Sequence, residues 1–149
     1  MSIACFYYLE FALQIFSGKD KFEIYKDLQM EITRYLSGLF INSTEIVLFD
    51  RLLKQNIYEQ KEENIFSTGY VLHTLEASIW CLLTTDNYKD AVLKAVNLGE
   101  DTDTTGAVTG GLAGLLYGFG NIPKKWIKQI AKNDEIENLA ERLGDKMAS

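Results

Sequence analysis

The sequence predicts an all-α fold, a compact bundle of several helices, and three observations support this prediction. Apolar residues recur at intervals of three and four, which is the spacing of one helix face. No segment alternates polar and apolar residues with the period of two that is typical of a half-buried strand. Proline, which interrupts helices, occurs only once, at Pro123.

Length, composition and charge narrow the possible function classes. The 149 residues, of which 47% are hydrophobic and 24% charged, fit a soluble globular protein with a continuous core. No linker or repeat divides them, so residues 1–149 are expected to form a single all-α domain. The net charge of −6 disfavours nucleic-acid binding, which normally needs a basic surface. The single histidine, His73, excludes a multi-histidine metal site, and we assign no chemistry to it.

The N-terminal segment does not have the pattern of a secretory signal. Met1 to Leu9 is largely apolar, but no basic residue precedes it and Glu10 interrupts it. A secretory signal begins with basic residues, which a longer apolar run follows. Two cysteines, Cys5 and Cys81, are also too few for a disulfide framework. We therefore expect a helix at this end of the chain and a cytoplasmic protein.

Three helices are predicted in the first part of the chain. The first has the apolar stripe Phe6, Leu9, Leu13 and Phe16, and it stops near Ser17-Gly18. The second has the stripe Phe22, Tyr25, Leu28, Ile32 and Tyr35, and it ends before Gly38. The third runs from about Ser43 to Gln55 with Ile46, Phe49, Leu52 and Leu53 inward. Asn42 and Glu45 have the spacing of a capping box at its start.

Two further helices are predicted in the middle of the chain. Ser67 and Thr68 are expected to cap a helix from Gly69 to Leu83, which buries Leu72, Leu75, Ile79 and Leu82. Asp86-Asn87 starts a short helix that buries Ala91, Val92, Ala95 and Val96. Gly99 is expected to close this short helix as its C-terminal cap.

The last part of the chain contains three more predicted helices. The first of them runs from about Thr104 to Gly118, and Pro123 begins the next, with Trp126, Ile127 and Ile130 inward. Asn133-Asp134 opens the final helix, which packs Ile136, Leu139, Leu143 and Met147. A cluster of lysines is interpreted as a solvated helix face: Lys124, Lys125, Lys128 and Lys132.

Glycine is concentrated in one predicted helix. Seven of the 11 glycines lie between Gly99 and Gly120, and four are spaced four apart on one helix face: Gly106, Gly110, Gly114 and Gly118. Each glycine inside a helix costs roughly 1 kcal/mol relative to alanine, so a close approach by a neighbouring helix or a ligand is expected to offset the cost. A membrane span is the alternative, because residues 104–123 carry no charge, but this run is only weakly apolar and we predict no membrane segment.

An acidic cluster precedes the glycine-rich helix. Glu100, Asp101 and Asp103 place three carboxylates within four positions, next to the hydroxyls of Thr102 and Thr104. Such side chains are good helix caps and suit the positive end of the helix dipole. The same oxygens also suit a hard ion such as Mg²⁺ or Mn²⁺. The residues alone leave capping and metal binding equally open.

A resemblance to a known family favours the metal. The residues that carry it are 99–108 (GEDTDTTGAV), followed by Gly110, Ala113, Gly114, Tyr117 and Gly118, with 67–71 (STGYV), 74–77 (TLEA), Trp80-Cys81 and 94–99 (KAVNLG) upstream. This pattern resembles the C-terminal signature of the ADP-ribosylglycohydrolase family. The likeness is good from about Ser67 to Gly118 and vaguer over the flanking helices.

The resemblance implies a hydrolase that cleaves the N- or O-glycosidic bond between ADP-ribose and a modified side chain. It implies two Mg²⁺ or Mn²⁺ ions, which polarise the ribose hydroxyls and position a water. By position, Asp101, Asp103 and Thr104 match metal ligands, and the two aspartates are electrostatic scaffolds. Gly69 and Tyr70 would lie near the ADP-ribose. Glu100 stands where the family commonly has glycine.

The N-terminal motifs of the family are not found in this chain. Family members are usually longer, and the Thr-Asp-Asp-Thr element that supplies their other metal ligands is missing, since Thr85-Asp86 is followed by Asn87. The chain is therefore expected to be truncated, to hold part of the metal cage and to be inactive alone. We expect a homodimer or a complex with a separately encoded N-terminal half. Two alternatives stay open: a non-catalytic module that binds metal or ADP-ribose, and a structural remnant that assembles with another chain.

Overall fold

The computed structural model describes residues 3–38 and 43–148, and within these ranges it is all-α, as the sequence predicts. Nine α-helices occur there, joined by loops and short 3-10 turns, and no strand is present in the same ranges. The helices are α1 (Ile3–Phe16), α2 (Lys21–Ser37), α3 (Ser43–Val47), α4 (Asp50–Leu53), α5 (Val71–Leu83), α6 (Tyr88–Val96), α7 (Thr102–Tyr117), α8 (Lys124–Ile127) and α9 (Asn133–Ala148).

Helix α5 lies at the centre of the core and packs against α1, α6 and α7. Every residue from Thr74 to Leu83 is buried. The four residues predicted to face inward are all among the buried ones: Leu72, Leu75, Ile79 and Leu82. A helix that is apolar on nearly all sides is stable only inside a bundle, so α5 fixes where the other helices pack.

Helix α1 packs on the core with a different face from the predicted one. Its buried residues are Ile3, Ala4, Tyr7, Phe11 and Ile15. Leu9, Leu13 and Phe16 are 53%, 60% and 74% exposed, so the predicted inward stripe is wrong apart from the half-buried Phe6. Because apolar residues surround this helix on every side, periodicity alone did not single out its core face.

Helix α2 buries the middle of its predicted stripe. Tyr25, Leu28 and Ile32 are buried. The two end residues, Phe22 and Tyr35, are partly exposed, and each packs its ring on another aromatic side chain. The predicted stripe is therefore confirmed at its centre, whereas its two end residues are only partly covered.

The predicted third helix is instead two short helices, α3 and α4. At the break, the Phe49 amide donates to the Ile46 carbonyl over 3.0 Å, a tighter bond than that of an α-helix. Phe49, Leu52 and Leu53 are buried as predicted. Asn42, the expected capping-box partner of Glu45, lies outside the described residues.

The glycines of α7 allow α6 to approach closely, as predicted. A Cβ atom on Gly106 would lie 2.8 Å from Cγ1 of Val96, and one on Gly110 would lie 3.4 Å from the hydroxyl of Tyr88. Asn87 caps α6 as expected, since its side chain accepts from the Asp90 amide over 2.9 Å. Ala91 and Ala95 of α6 are buried, Val92 is half-buried and Val96 is partly exposed. The packing of small residues on both helices offsets the low helix propensity of glycine.

The C-terminal region packs less than predicted. Pro123 is the N-cap of α8, which ends at Ile127, and Ile130 is exposed rather than inward. Helix α9 begins at Asn133 as expected, but no residue of α9 is buried, so the predicted packing of Ile136, Leu139, Leu143 and Met147 is wrong. The pattern of these four residues is amphipathic, yet all four are exposed, at 54% to 82% of their surface. The lysine cluster is exposed, as predicted.

Among the described residues, no helix has both the length and the apolar character needed to cross a bilayer.

Candidate active site

The acidic motif lies at the N-terminus of α7, where a tight turn leads in from α6. The turn contains two successive residues with left-handed backbone, Gly99 at φ 87° and Glu100 at φ 57°. The Thr102 amide donates to the Glu100 carbonyl over 3.1 Å. The C-cap of α6 is Asn97 rather than the predicted Gly99, and α7 starts at Thr102, two residues before the predicted start. Gly99 therefore shapes the entrance to the motif and does not cap α6.

The loop before α5 is bonded to this turn. The Ser67 hydroxyl donates to the Gly99 carbonyl over 2.6 Å, and the Asp101 amide donates to the Ser67 carbonyl over 3.0 Å. The Ser67 side chain is buried. The predicted role of Ser67 as a helix cap is wrong. Helix α5 begins at Val71, and its N-cap residue is Tyr70, whose side chain makes no capping hydrogen bond. Ser67 instead joins two segments that are 32 residues apart.

Gly69 lies directly beside Asp101. A Cβ atom on Gly69 would lie 3.2 Å from Oδ2 of Asp101, which is closer than ordinary van der Waals contact. The structure therefore brings together one residue predicted to lie near substrate and one predicted to bind metal. Any side chain at position 69 would crowd the carboxylate of Asp101, so glycine keeps that carboxylate accessible.

The Asp101 carboxylate is favoured in its charged form. The Thr104 hydroxyl is the largest influence and the Asp103 carboxyl the next, and together they hold the pKa of Asp101 below its ordinary value. Asp101 occupies the N-cap position but makes no capping hydrogen bond with its side chain, although the nearby Thr104 amide also lowers the pKa slightly. Asp103 and Thr104 are exposed in the first turn of α7. The three predicted metal ligands are thus neighbours at one helix end.

These oxygens fit part of a coordination sphere for a hard divalent ion. Two carboxylates and one hydroxyl are ligands that Mg²⁺ and Mn²⁺ accept, but Mg²⁺ takes six in near-octahedral geometry. Within residues 3–38 and 43–148, no group of three or more Asp, Glu, His or Cys side chains is arranged to hold a metal ion. The motif alone would leave coordination positions for water or for groups from elsewhere.

Tyr70 stands at the edge of this site and packs on His73. The two rings are 5.2 Å apart in an edge-to-face arrangement, and about half of Tyr70 is exposed. The ring of Phe66 also packs on His73, and the two ring centroids are 5.4 Å apart. An exposed aromatic surface therefore adjoins the acidic motif through Gly69.

Sequence reasoning missed the pairing of His73 with Thr68. The Thr68 hydroxyl and Nδ1 of His73 are 2.7 Å apart. The sequence assigns no chemistry to His73, and its spacing of five residues from Thr68 is the only signal of this pairing.

Glu76 is a buried charged residue of α5. It forms an ion pair with Arg51 of α4 over 3.0 Å, which holds these two helices together.

The fold and the site define an all-α protein whose acidic oxygens stand at the mouth of a small-residue helix. Residues 2–149 match the family model of the ADP-ribosylglycohydrolases. The chain belongs to this family.

Several curated relatives of this chain are named as ADP-ribosyl hydrolases. Over 85 residues the chain is 51% identical to an ADP-ribosylarginine hydrolase of Serratia proteamaculans, a match that covers 57% of this chain and 23% of that protein. It is 42% identical over 90 residues to the corresponding protein of Pseudomonas putida, covering 60% of this chain and 24% of that protein. It is 37% identical over 71 residues to the ADP-ribosyl-dinitrogen reductase glycohydrolase of Rhodospirillum rubrum. This match covers 48% of this chain and 24% of that protein. The chain therefore spans about a quarter of the length of these curated relatives.

Proposed function

We propose that this chain forms one side of the active site of an ADP-ribosylglycohydrolase. The reaction is hydrolysis of the N- or O-glycosidic bond between ADP-ribose and a modified side chain of a protein. The observation that carries this proposal is the close approach of Gly69 to Asp101. A Cβ atom on Gly69 would lie 3.2 Å from Oδ2 of Asp101. The names of two relatives, which are hydrolases of ADP-ribosylarginine, support the same substrate class. A cytoplasmic location belongs to the same proposal.

The metal ligands in this proposal are Asp101, Asp103 and Thr104, and the ion is Mg²⁺ or Mn²⁺. The closeness of the three residues supports this assignment, because the Thr104 hydroxyl and the Asp103 carboxyl both lie near enough to Asp101 to lower its pKa. A bound divalent ion would supply positive charge near the ribose hydroxyls and lower the pKa of a bound water. Glu100 is left out of the ligand set, because its left-handed backbone serves the turn.

The bond changes follow from the substrate. A water oxygen forms a bond to the anomeric carbon of the ribose as the bond from that carbon to the side-chain nitrogen or oxygen breaks. The attacking water gives up one proton and the departing side chain takes one up, so that the products together contain the atoms of the water. Asp101 and Asp103 hold charge in place during this step and transfer no proton, while Gly69 leaves room for the ribose beside them. Tyr70 offers an exposed ring at the edge of the same site.

Residues outside this sequence complete the site in this proposal. The chain spans about a quarter of the length of its curated relatives, and its described residues contain no group of three or more His, Cys, Asp or Glu side chains that could hold a metal ion. The missing ligands come from the part of the family fold that this sequence does not span, whether in the same protein, in a separately encoded N-terminal half or in a second copy of the chain. Binding of one ion by this chain alone is expected to be weak, since fewer charged ligands lower the affinity.

Calorimetric titration with Mn²⁺ tests the metal assignment. We expect the wild type to bind Mn²⁺ and both Asp101→Ala and Asp103→Ala to lose the binding signal. Asp134→Ala is the matched control, since Asp134 is an exposed aspartate in the first turn of another helix, and it should bind as the wild type does. An unchanged signal in the two site variants would remove the assignment.

A non-catalytic module that binds metal or ADP-ribose is the second candidate. The small number of carboxylates at the motif favours binding without turnover, because two ions in catalytic register need more ligands. A release assay on ADP-ribosylated arginine, with and without the N-terminal part of a relative, separates the two. Release that needs the added part supports the enzyme; ADP-ribose binding with no release under either condition supports the module.

A further inference from the structure

The loop from Ser67 to Tyr70 is held at both of its ends. At the end nearer α7, Ser67 exchanges hydrogen bonds with Gly99 and Asp101 over 2.6 and 3.0 Å. At the end nearer α5, the hydroxyl of Thr74 donates to the Thr68 carbonyl over 3.3 Å. The loop therefore has a defined position between the acidic motif and the central helix.

His73 makes two contacts with this loop and a third with Phe66, which directly precedes the loop. Its Nδ1 atom pairs with the Thr68 hydroxyl at 2.7 Å, and that hydroxyl also accepts from the Tyr70 amide over 3.3 Å. The imidazole also receives the edge-to-face contact of Tyr70 and the tilted contact of Phe66. One side chain thus fixes the backbone and the aromatic ring of the loop together.

We propose that His73 is a positioning residue for ligand binding at this site. It holds Tyr70 and Thr68 so that Gly69 stays against Asp101 and the ring of Tyr70 keeps one orientation. His73 touches neither the acidic motif nor the reacting atoms, so it acts on the ligand through the loop. The identity of the ligand, ADP-ribose, rests on the proposed function, whereas the ordering of the loop by His73 does not.

Three variants separate the contributions of the side chain. His73→Ala removes both the hydrogen bond and the ring, His73→Phe keeps a ring without the hydrogen bond, and His73→Asn places an amide near Nδ1 without the ring. We expect His73→Ala to speed hydrogen exchange at the Tyr70 amide, which donates to the Thr68 hydroxyl, about tenfold, the effect of losing roughly one hydrogen bond. We expect His73→Asn to restore part of this protection, because the hydrogen bond to Thr68 returns.

Ligand titrations show whether the effect is on positioning. We expect His73→Ala to weaken ADP-ribose binding about five- to tenfold, in line with the loss of about one hydrogen bond, and to leave Mn²⁺ binding unchanged. Partial recovery of ADP-ribose binding is expected in His73→Asn. Leu36→Ala, a core change in α2, controls for a general loss of stability and should leave exchange at the loop amides relative to global unfolding unchanged.

Two results would overturn the proposal. Loop amides that exchange at the wild-type rate in His73→Ala would show that His73 does not order the loop. Equal losses of Mn²⁺ and ADP-ribose binding would show a general structural role. If the wild type binds no ADP-ribose, the proposed function fails instead, and exchange at the loop amides with rescue by His73→Asn then decides the role of His73.

Discussion

Glu100 adopts a backbone conformation that glycine adopts more readily. Its φ of 57° lies in the left-handed region, where a Cβ atom costs about 1–2 kcal/mol. We expect Glu100→Gly to raise the free energy of unfolding by about 1 kcal/mol, since the strain is relieved while some unfolded-state entropy is gained. Chemical denaturation of the variant and the wild type measures this difference.

Lys61→Gly is the matched control for this prediction. Lys61 lies in another exposed loop but has a φ of −73°, so glycine relieves no strain there. The control should be neutral or destabilised. Equal effects of the two substitutions would show that the turn at Glu100 is not strained.

Glu76 gives the fold a pH dependence. Burial raises the pKa of Glu76 above its ordinary value, and the opposing effect of Arg51 is smaller. The folded protein therefore keeps this proton to higher pH than the unfolded chain does, so the stabilisation from the bound proton is complete below about pH 4.5 and is lost as the pH rises above that value. We expect Glu76→Gln, which can still accept a hydrogen bond from Arg51, to flatten this part of the stability profile.

Urea denaturation at a series of pH values tests the role of Glu76. Glu62→Gln controls for loss of one negative charge at an exposed position. Identical profiles for the wild type and Glu76→Gln would contradict the prediction.

Single residues of the site were predictable where a local motif carried them. Asp101, Asp103 and Thr104 stand within one short motif, and the structure places them at one helix end. Whether they bind a metal stays a prediction. The bond from Ser67 to Gly99 was not predictable, because it joins residues 32 positions apart and depends on how two loops meet.

At the scale of elements, the glycines of α7 differ in how closely α6 approaches them. A Cβ atom on Gly106 would lie 2.8 Å from Val96, whereas one on Gly114 would lie 3.8 Å from Tyr88, an ordinary contact. We expect Gly114→Ala to stabilise the protein by up to about 1 kcal/mol through helix propensity. We expect Gly106→Ala to destabilise it by about 1–2 kcal/mol, because the added methyl group displaces a stiff branched side chain.

A double variant identifies the cause of the Gly106 effect. Gly106→Ala combined with Val96→Ala should recover most of the stability lost in Gly106→Ala, as measured by thermal or chemical denaturation. If Gly106→Ala is as stable as Gly114→Ala, the two helices do not pack as closely as described.

The periodicity of apolar residues predicts where most helices lie, but it does not predict which face is buried in α1 and α9. The predicted and observed ends agree for α2, which ends before Gly38, and for α5, which ends at Leu83, and the predicted and observed starts agree for α9, because caps and breakers lie within the local sequence. The core face of α1 was wrong, since apolar residues lie all around that helix. The apolar pattern of α9 predicts a buried face, but no residue of this helix is buried.

For the whole molecule, exposed apolar faces on α1 and α9 predict self-association. Leu13 and Phe16 of α1 are exposed, as are Leu139 and Leu143 of α9. Apolar surface of this kind favours association in water. We expect size-exclusion chromatography with light scattering to give a mass above that of one chain.

Leu13→Glu tests which face is involved. The substitution adds one negative charge at an exposed position, so it should leave the fold intact and shift the protein towards a monomer. Asn138→Glu adds the same charge at an exposed polar position of α9 and should have little effect. A wild type that is a monomer at all accessible concentrations would contradict the prediction.

A crystal of the chain soaked in Mn²⁺ shows whether the clustered oxygens before α7 hold a divalent ion. We expect an anomalous difference peak in contact with side-chain oxygens of Asp101, Asp103 and Thr104. A map with no peak there, in which the two carboxylates bond only to backbone amides of α7, would contradict it.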